Sequence, residues 1–279
     1  MSATASTFAA TSDVDHFRQV VDRRIGVQLD GKEYLIENRL RAVAQNHGLD
    51  STAAVLAAIR RGDRAVESDA IEAMTTNETS FFRDQHPFTS LAEHVLPPLA
   101  AANGDRLTIW NGACSSGQES YTLAMTIADH LPHLAVGGRT RIVSTDVSPA
   151  MVERTAAGTY SRFEVNRGLP AALAVRHFEQ TGRNWTAKPL LRSMVEAREL
   201  NLLEPFRGLP RCDVVLLRNV LIYFTVAARR DIVRRIGTEV LKPGGCLLLG
   251  ASETINGFDE GFESRRIGSA TFHYTRGKR

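Results

Sequence analysis

Two glycines and an acid in the stretch LTIWNGACSSGQES, residues 107 to 120, have the types and spacing of a ligand-binding loop. Gly112 and Gly117 flank a tight turn between a predicted strand and a predicted helix, where doubly wound α/β folds let the backbone approach a nucleotide. The GxGxxG and Walker fingerprints are absent, so the usual phosphate cradles are missing. Glu119 at the helix start would repel a diphosphate and attract a cationic or amine-bearing ligand. The loop therefore favours S-adenosylmethionine, although such a glycine turn could instead only pack the strand on the helix.

A second acid, Asp146, ends the apolar run TRIVSTD. In doubly wound folds an acidic side chain at this strand end accepts hydrogen bonds from the ribose hydroxyls of a nucleotide without a 2′-phosphate. The alternative is that Asp146 caps the helix predicted over SPAMVERTAAG, for which Ser148 is an equally good residue. The glycine loop and the spaced acid together indicate a cofactor site more strongly than either feature does alone.

The polar pair Arg218-Asn219 follows the buried run CDVVLL and precedes LIYF. Because ligands of open α/β sheets bind outside the carboxyl ends of strands, we expect this segment to border the site. The Asn219 amide can donate and accept at once, and Tyr223 offers a hydroxyl on a rigid ring. The alternative is an ordinary strand-to-helix loop in which Tyr223 and Phe224 belong to the core.

The sequence has no credible set of hydrolase or metal-binding residues. No Ser/His/Asp combination, cysteine nucleophile arrangement or HExxH motif occurs in a suitable context. His130 and His133 lie near a predicted helix end with Pro132 between them and no third ligand nearby, so no metal is expected. The three cysteines lie in or beside apolar runs without metal spacing, which predicts buried, reduced thiols.

The composition is that of a globular protein of one or two domains, with 279 residues of which 43% are apolar and 23% charged. The N-terminal stretch MSATASTFAATSDVD lacks the basic head and apolar core of a secretory signal, and the run CLLLGA is too short to span a bilayer. We therefore predict a cytoplasmic protein without membrane insertion. A formal charge of +3 without a basic tail argues against nucleic acid as a partner.

A mixed α/β fold is predicted to position these residues. Residues 1–75 show helical periodicity and helix caps, which predicts a small all-helical domain. From residue 93 onward, apolar runs alternate with amphipathic helices, which predicts a mostly parallel sheet covered on both faces. Between about 160 and 200 the pattern changes to short segments separated by turn residues, so we predict an inserted antiparallel β-subdomain rather than a further helix. The connector at 76–92 contains NETSFFRDQHPF, which fits neither a helix period nor a strand period.

Six segments, taken in order, closely resemble the CheR family of chemotaxis receptor methyltransferases: TTNETSFFRD, WNGACSSGQESYTLAM, STDVSPAMVERTAAGTYS, ELNLLEPF, CDVVLLRNVLIYF and LKPGGCLLLGASET. The match spans nearly the whole chain. Its most specific segments are the Asn-x-Thr-x-Phe-Phe-Arg connector and the Arg-Asn-Val-x-Ile-Tyr-Phe strand end. The resemblance implies a helical N-terminal domain, a Rossmann-like class I methyltransferase domain over residues 93–279 and an inserted small antiparallel β-subdomain.

The resemblance also implies which residues form the site. The connector would fold over S-adenosylmethionine, with Phe81 and Phe82 anchoring it in apolar surface. Arg83 and Tyr223 resemble the catalytic pair that positions the methyl group and the incoming carboxylate. Together with Gly112 of the glycine loop, the cofactor-binding residues would be Asn77, Thr79, Arg83, Glu119, Asp146, Asn201, Leu202, Asn219 and Val220.

The activity that the resemblance implies is methyl transfer from S-adenosylmethionine to glutamate side chains of bacterial chemoreceptors, with S-adenosylhomocysteine as the product. A glutamate with a pKa of about 4.3 is already an anion at neutral pH, so it needs alignment rather than a base. The partner would be the cytoplasmic helical bundle of a receptor, with the N-terminal helices helping to dock it. Lys32, Arg39 and Arg41 could supply charge, although residues 1–75 hold nine Lys/Arg against eleven Asp/Glu and those cations could simply be solvated.

The chain departs from the family pattern in two places. The loop reads Gly-Gln-Glu-Ser-Tyr at 117–121, where the family usually has Gly-Glu-Glu-Pro-Tyr. The segment QTGRNWTAKPLLR is shorter than in members that tether to a receptor's C-terminal pentapeptide, and it lacks their glycine-rich extension. We therefore expect recognition of the receptor without that tether.

Two rival functions compete with this expectation. A methyltransferase acting on RNA or on a small molecule would share the glycine loop and Asp146. Amino-group methylation of bases, however, commonly pairs with an Asn/Asp-Pro-Pro-Tyr corner, and RNVLIYF has no proline there. A cofactor-binding regulatory or scaffold protein would instead keep the site without turnover.

Overall fold

A computed structural model describes residues 11–255 and 261–276, which form two compact units. One unit contains the chain up to Thr76 together with Tyr223–Thr225, and the other contains Asn77–Ile222 and the chain from Val226 onward. Most of the N-terminal stretch on which we based the absence of a secretory signal, residues 1–10, lies outside the described residues.

Amphipathic helices form the described portion of the first unit: α1 Thr11–Ile25, α2 Glu33–Asn46, α3 Thr52–Arg60 and α4 Arg64–Met74. The α1 side chains at Phe17, Val20, Val21 and Ile25 are buried, as their helical spacing predicts.

Side chains close the ends of these helices. The Ser51 hydroxyl accepts a hydrogen bond from the Ala54 amide at 3.2 Å and caps α3. Arg39 donates to the carbonyls of Ala73 and Thr75, at 3.1 and 2.8 Å, and so binds the end of α4. Arg39 is therefore engaged within its own unit and is not simply solvated.

The second unit is built on a seven-stranded sheet, counted over the described residues, with the strand order β6-β2-β1-β7-β8-β10-β9. The pairs from β6 to β8 are parallel, and β8-β10 and β10-β9 are antiparallel. Its strands are β1 Leu107–Gly112, β2 Thr140–Asp146, β6 Val195–Glu199, β7 Cys212–Leu217, β8 Leu241–Leu249, β9 Phe262–Ile267 and β10 Ala270–Thr275. The antiparallel β9-β10 hairpin is an addition to the parallel pattern read from the sequence.

The helices and π-helical turns of this unit are α5 His86–Ser90, a π-helical turn Leu91–Val95, α6 Leu96–Ala102, α7 Gln118–His130, α8 Pro149–Ala157, α9 Arg162–Asn166, α10 Ala171–His177, α11 Pro189–Arg192, α12 Val226–Arg235 and a π-helical turn Ile236–Val240. A 3₁₀ turn, Leu221–Tyr223, lies where the chain passes from this unit to the first one. Every residue of β7 is buried, and so are the apolar residues of α7 from Leu123 to Ile127. The core of the unit thus lies between the central strands and their covering helices.

A second antiparallel sheet, of three strands within the described ranges, has the order β3-β5-β4. Its strands are β3 Thr159–Ser161, β4 Phe178–Thr181 and β5 Asn184–Ala187. The predicted α/β fold with N-terminal helices and an inserted antiparallel sheet is confirmed. The prediction of strands rather than helices between 160 and 200 is partly wrong, because α9, α10 and α11 lie there and β6 joins the main sheet in parallel. These helices have four to seven residues, too few turns for a period of 3.6 to show.

No helix within the described ranges combines the length and the apolarity that crossing a bilayer requires.

Candidate active site

The carboxyl ends of four parallel strands meet at one edge of the main sheet. In the Cα register, Gly112 of β1 faces Thr145 of β2, and Asp146 faces Glu199 of β6. Asn111 of β1 faces the penultimate residue of β7 on its other side. Because parallel strands end at the same edge, the polar residues that follow them share one region of the molecule.

The loop between β1 and α7 has a backbone that few residue types tolerate. Ala113, Ser115 and Gly117 all have positive φ, at 53°, 51° and 91°. For a residue with a Cβ atom this conformation costs about 1–2 kcal/mol, so the surroundings must hold it in place. A Cβ at Gly117 would lie 2.8 Å from the Thr155 hydroxyl oxygen, so this position requires glycine for space as well as for φ.

Asp146 holds this loop from the end of β2. Its Oδ2 accepts the Ser115 amide at 2.8 Å, and its Oδ1 accepts the Ser148 amide at 3.0 Å. The N-cap of α8 is Ser148, whose hydroxyl accepts the Met151 amide at 3.2 Å. Of the two cap candidates, Ser148 therefore takes that role. The buried Asp146 carboxylate fixes the loop, and a carboxylate is a group suited to accepting hydrogen bonds from ligand hydroxyls.

Glu119 and Arg218 form an ion pair beside the loop. Glu119 lies in the first turn of α7, and the Arg218 Nη1 donates to its Oε2. The Arg218 side chain is only 1% exposed. Burial raises the pKa of Glu119, and the Arg218 charge opposes that shift. A cationic group of a ligand beside this carboxylate would add to the stabilisation of its charged form.

Arg218 also binds the connector, a role that the sequence did not suggest to us. Its Nη2 donates to Asp84 Oδ2 at 2.6 Å and to the Arg83 carbonyl at 3.1 Å, and its guanidinium carbon lies 5.5 Å from the Phe88 ring centroid. The sequence did contain a signal for this role, an arginine directly after the predicted buried strand CDVVLL. A charged side chain at such a position requires partners.

The connector is anchored by Phe81, whose side chain is 1% exposed. Its ring packs edge-on against Tyr160 and Phe178, with centroid distances of 5.0 and 5.7 Å. Phe82 is half-buried and its amide donates to the Thr122 hydroxyl on α7 at 3.1 Å. The Asn77 carbonyl accepts the Ser115 hydroxyl at 2.9 Å, which brings the start of the connector to the glycine loop.

Arg83 and Thr79 lie on the same connector, and both are half-buried. The Arg83 Nη1 donates to the Glu78 carbonyl at 3.3 Å. The Arg83 charge is close enough to Glu119 to favour the ionised form of that carboxylate, although burial remains the larger influence on its pKa. The structure thus brings together the predicted residues of the connector and those of the α7 start.

The segment after β6 contains Asn201 and Leu202. The Asn201 Oδ1 accepts the Leu203 amide at 3.0 Å, which makes a local turn, and Leu202 is buried. Arg235 on α12 donates to the carbonyls of Leu202 and Glu204, both at 2.6 Å. A buried arginine therefore fixes the position of this segment.

Asn219 follows β7 with a φ of 58°. Its amide donates to Glu253 Oε2 at 2.6 Å, and the Gly250 amide donates to the same oxygen at 2.9 Å. A Cβ at Gly250 would lie 2.7 Å from the Asn219 Nδ2, so this approach requires glycine. The neighbouring Val220 is half-buried.

Tyr223 belongs to the compact unit of the N-terminal helices, and its carbonyl accepts the Gln28 amide at 3.3 Å. Its function together with Arg83 stays a prediction.

The residues at the carboxyl edge fit S-adenosylmethionine by their chemistry. Glu119 and Asp146 are buried or nearly buried carboxylates, suited to an amine and to ribose hydroxyls. The side-chain amides of Asn201 and Asn219 follow two of the same strands. Within the described residues, no group of three or more His, Cys, Asp or Glu side chains is placed to hold a metal ion.

Comparison with known proteins agrees with this chemistry. Residues 77–270 match the family model described as CheR methyltransferase, SAM binding domain. Chemotaxis protein methyltransferase 1 of Pseudomonas aeruginosa is 41% identical over 263 residues, which cover 91% of this chain and 94% of the relative. Chemotaxis protein methyltransferase Cher2 of Pseudomonas putida is 38% identical, covering 90% of this chain and 93% of the relative.

A more distant relative is the chemotaxis protein methyltransferase of Salmonella typhimurium, at 33% identity over 92% of this chain and 89% of the relative. The family model spans well over half of the chain, and both Pseudomonas relatives align over nearly their full length. This chain belongs to the CheR methyltransferase family, and its second unit carries that family's S-adenosylmethionine-binding domain.

Proposed function

We propose that this protein methylates glutamate side chains of bacterial chemoreceptors, with S-adenosylmethionine as donor, for sensory adaptation in chemotaxis. Glutamate methyl esters and S-adenosylhomocysteine would be the products. The names of the relatives support this substrate class, since they are chemotaxis protein methyltransferases aligned over about nine-tenths of the chain. When bound, S-adenosylmethionine supplies an electrophilic methyl group.

The observation that carries the proposal is an arginine, and not a residue that could act as a general base, on the connector near Glu119. Arg83 bears a permanent positive charge and influences Glu119 electrostatically. A guanidinium can hold a carboxylate by two parallel hydrogen bonds. Since the substrate carboxylate is already ionised at neutral pH, alignment is the main task. Arg83, with the Tyr223 hydroxyl as the second group, would perform that alignment.

The remaining residues would hold the cofactor. Glu119 would bind the amino group of its methionine moiety, and Asp146 would accept the ribose hydroxyls. Asn201 and Leu202 would flank the adenine. The other proposed contacts are Asn77, Thr79, Gly112, Asn219 and Val220.

The proposed division of the chain assigns a separate task to each region. The helical domain of residues 1–75 would help to dock the cytoplasmic helical bundle of the receptor, the connector at 76–92 would cover the cofactor, and residues 93–279 would bind it and perform catalysis. Because the methylated bundle is cytoplasmic, the protein would act in the cytoplasm. Of the candidate docking cations, Lys32 donates to the Gln28 carbonyl at 2.9 Å, and the Arg41 Nη2 lies 3.8 Å from the Glu37 Oε1.

Recognition would not require a receptor's C-terminal pentapeptide. The β4-β5 hairpin pairs Thr181 with Asn184, so only Gly182 and Arg183 form its turn. This short turn supports the absence of the glycine-rich extension of tethering members. Titration of such a pentapeptide, followed through the Trp185 fluorescence of β5, should give no saturable change, and tight saturable binding would contradict the proposal.

The experiment that tests the methylation proposal is incubation with methyl-labelled S-adenosylmethionine and receptor-rich membranes, followed by mild alkali and capture of volatile methanol. A carboxyl methyl ester releases its label readily under these conditions. We expect labelled methanol, lost with the Asp146→Ala variant. Alkali-stable label would favour a nucleic-acid or small-molecule substrate, and cofactor binding without label would favour a scaffold protein.

A further inference from the structure

We infer that Arg218 is a positioning residue for methyl transfer, because it fixes the connector turn that carries Arg83. This inference rests on the proposed function of Arg83 as the group that aligns the substrate carboxylate. Arg218 itself would act through Arg83 and would not need to touch the substrate.

Arg218 joins two regions of the site through one buried guanidinium. One nitrogen donates to Glu119 at the start of α7, and the other donates to the Asp84 carboxylate and the Arg83 carbonyl, at 2.6 and 3.1 Å. Although the Asp84 side chain is exposed, the Arg218 side chain is buried, and charge-assisted hydrogen bonds from a guanidinium have a defined geometry. The backbone of Arg83 is therefore held directly.

The connector turn needs such a restraint. Phe82, Asp84 and Gln85 have φ values of 48°, 65° and 41°, a region that side-chain-bearing residues rarely adopt. Residues in this region persist only when their surroundings hold them. Arg218 contacts one of these strained residues, Asp84, and the residue before it, Arg83. Loss of the Asp84 contact should thus let the turn relax and let the Arg83 side chain lose its orientation.

The two arms of Arg218 can be separated by mutation. Asp84→Asn removes the carboxylate of the connector arm and leaves the pairing with Glu119 intact. Asparagine also tolerates positive φ about as well as aspartate, so the substitution changes the charge and not the backbone preference. Asp105→Asn is a matched control outside the connector. Like Asp84, Asp105 is an aspartate with positive φ, at 56°, and its Oδ2 lies near an arginine, 3.8 Å from the Arg139 Nη1.

The test compares wild type with the Asp84→Asn and Asp105→Asn variants in three measurements: kcat for receptor methylation, the Kd of S-adenosylhomocysteine, and hydrogen exchange of amides 82–85. For Asp84→Asn we expect kcat to fall about tenfold, as for loss of one charge-assisted hydrogen bond, with Kd changed by less than about threefold. Exchange at 82–85 should become faster. Asp105→Asn should match wild type in all three.

Two results would overturn the inference. If wild type and both variants methylate receptors equally, the contact of Arg218 with Asp84 does not position Arg83; the inference is then overturned and the proposed function stands. If wild type gives no alkali-labile label, the proposed function fails, and with it the link to methyl transfer. The exchange rates then still decide whether Arg218 fixes the turn, since equal rates at 82–85 in all three proteins refute it.

Discussion

Replacing Phe81 by alanine should detach the connector from the small antiparallel sheet of the second unit. The ring is almost fully buried, and it packs between Tyr160 and Phe178 of the small sheet. The space beside its backbone is also filled closely, because a Cβ at Gly168 would lie 2.1 Å from the Phe81 carbonyl oxygen. The Phe81 ring therefore fills a closely packed site, and its removal leaves a cavity.

The magnitude follows from the burial. A buried Phe→Ala change typically costs about 3–5 kcal/mol of unfolding free energy. The neighbouring Phe82 is half-buried, with its ring 6.1 Å from that of Phe88, and its truncation should cost about 1–2 kcal/mol. If the connector opens locally before the unit unfolds, the loss in global stability for Phe81→Ala is smaller, and cofactor binding weakens instead.

The assay is urea unfolding followed by tryptophan fluorescence, with and without S-adenosylhomocysteine. Both tryptophans of the chain, Trp110 and Trp185, lie in the second unit and report on it. An unchanged m value would show that the midpoint shift is a stability change. The anchoring would be refuted by equal stability losses and equal cofactor affinities for the two phenylalanine variants. A loss below about 1 kcal/mol for Phe81→Ala together with unchanged cofactor affinity would also refute it.

Three further predictions concern other regions of the second unit. Gly117→Ala should cost about 1–3 kcal/mol more than Gly104→Ala, because both glycines have positive φ but only a Cβ at Gly117 would meet atoms within 4 Å. Urea unfolding of the two variants measures this difference, and equal costs would contradict the crowding. Burial lowers the pKa of His273 below its usual value of about 6.5, so the folded wild type should lose stability as the pH falls from 7.5 to 5.5. The His273→Gln variant should lose less, and parallel curves of unfolding free energy against pH for the two proteins would contradict this. Arg235→Lys replaces the two nitrogens that bind the Leu202 and Glu204 carbonyls by a single ammonium group, which should loosen the segment after β6. Calorimetry should then show about tenfold weaker cofactor binding, and unchanged affinity would argue against that segment as the adenine site.

Much of the fold could be predicted from the sequence, because strong periodicities dominate it. The α1 stripe, the fully apolar β7 and the amphipathic α7 all follow from residue spacing. The short helices around 160–200 did not, since Ser161 and Glu164 form a capping box around a single turn that leaves no periodic trace. The β9-β10 hairpin was also missed, because charged and apolar residues alternate only weakly in the C-terminal region of the chain that forms it.

The shared location of some candidate residues could be predicted where strand ends carry polar residues. Gly112, Asp146 and Asn219 were proposed on this ground, and the register of the parallel strands brings those strand ends together, while their contacts with the cofactor stay a prediction. Arg218 was not assigned a role, because its partners lie 99 and 134 residues away in the chain. Such long-range pairs depend on the tertiary arrangement and leave no local pattern. The positive φ angles of the connector are likewise imposed by packing and not by residue type.

Calorimetric titration of S-adenosylhomocysteine into wild type, Asp146→Asn and Asp213→Asn tests the central claim most directly, that the carboxyl edge of the sheet is the cofactor site. Asp213 is also a buried carboxylate, near the start of β7, where it accepts the Thr108 amide at 2.8 Å and pairs with Lys242. Loss of a charged hydrogen-bond acceptor costs about 1.5–3 kcal/mol, so Asp146→Asn should weaken binding at least about tenfold. Asp213→Asn should bind like wild type. Equal affinity of wild type and Asp146→Asn would contradict the account.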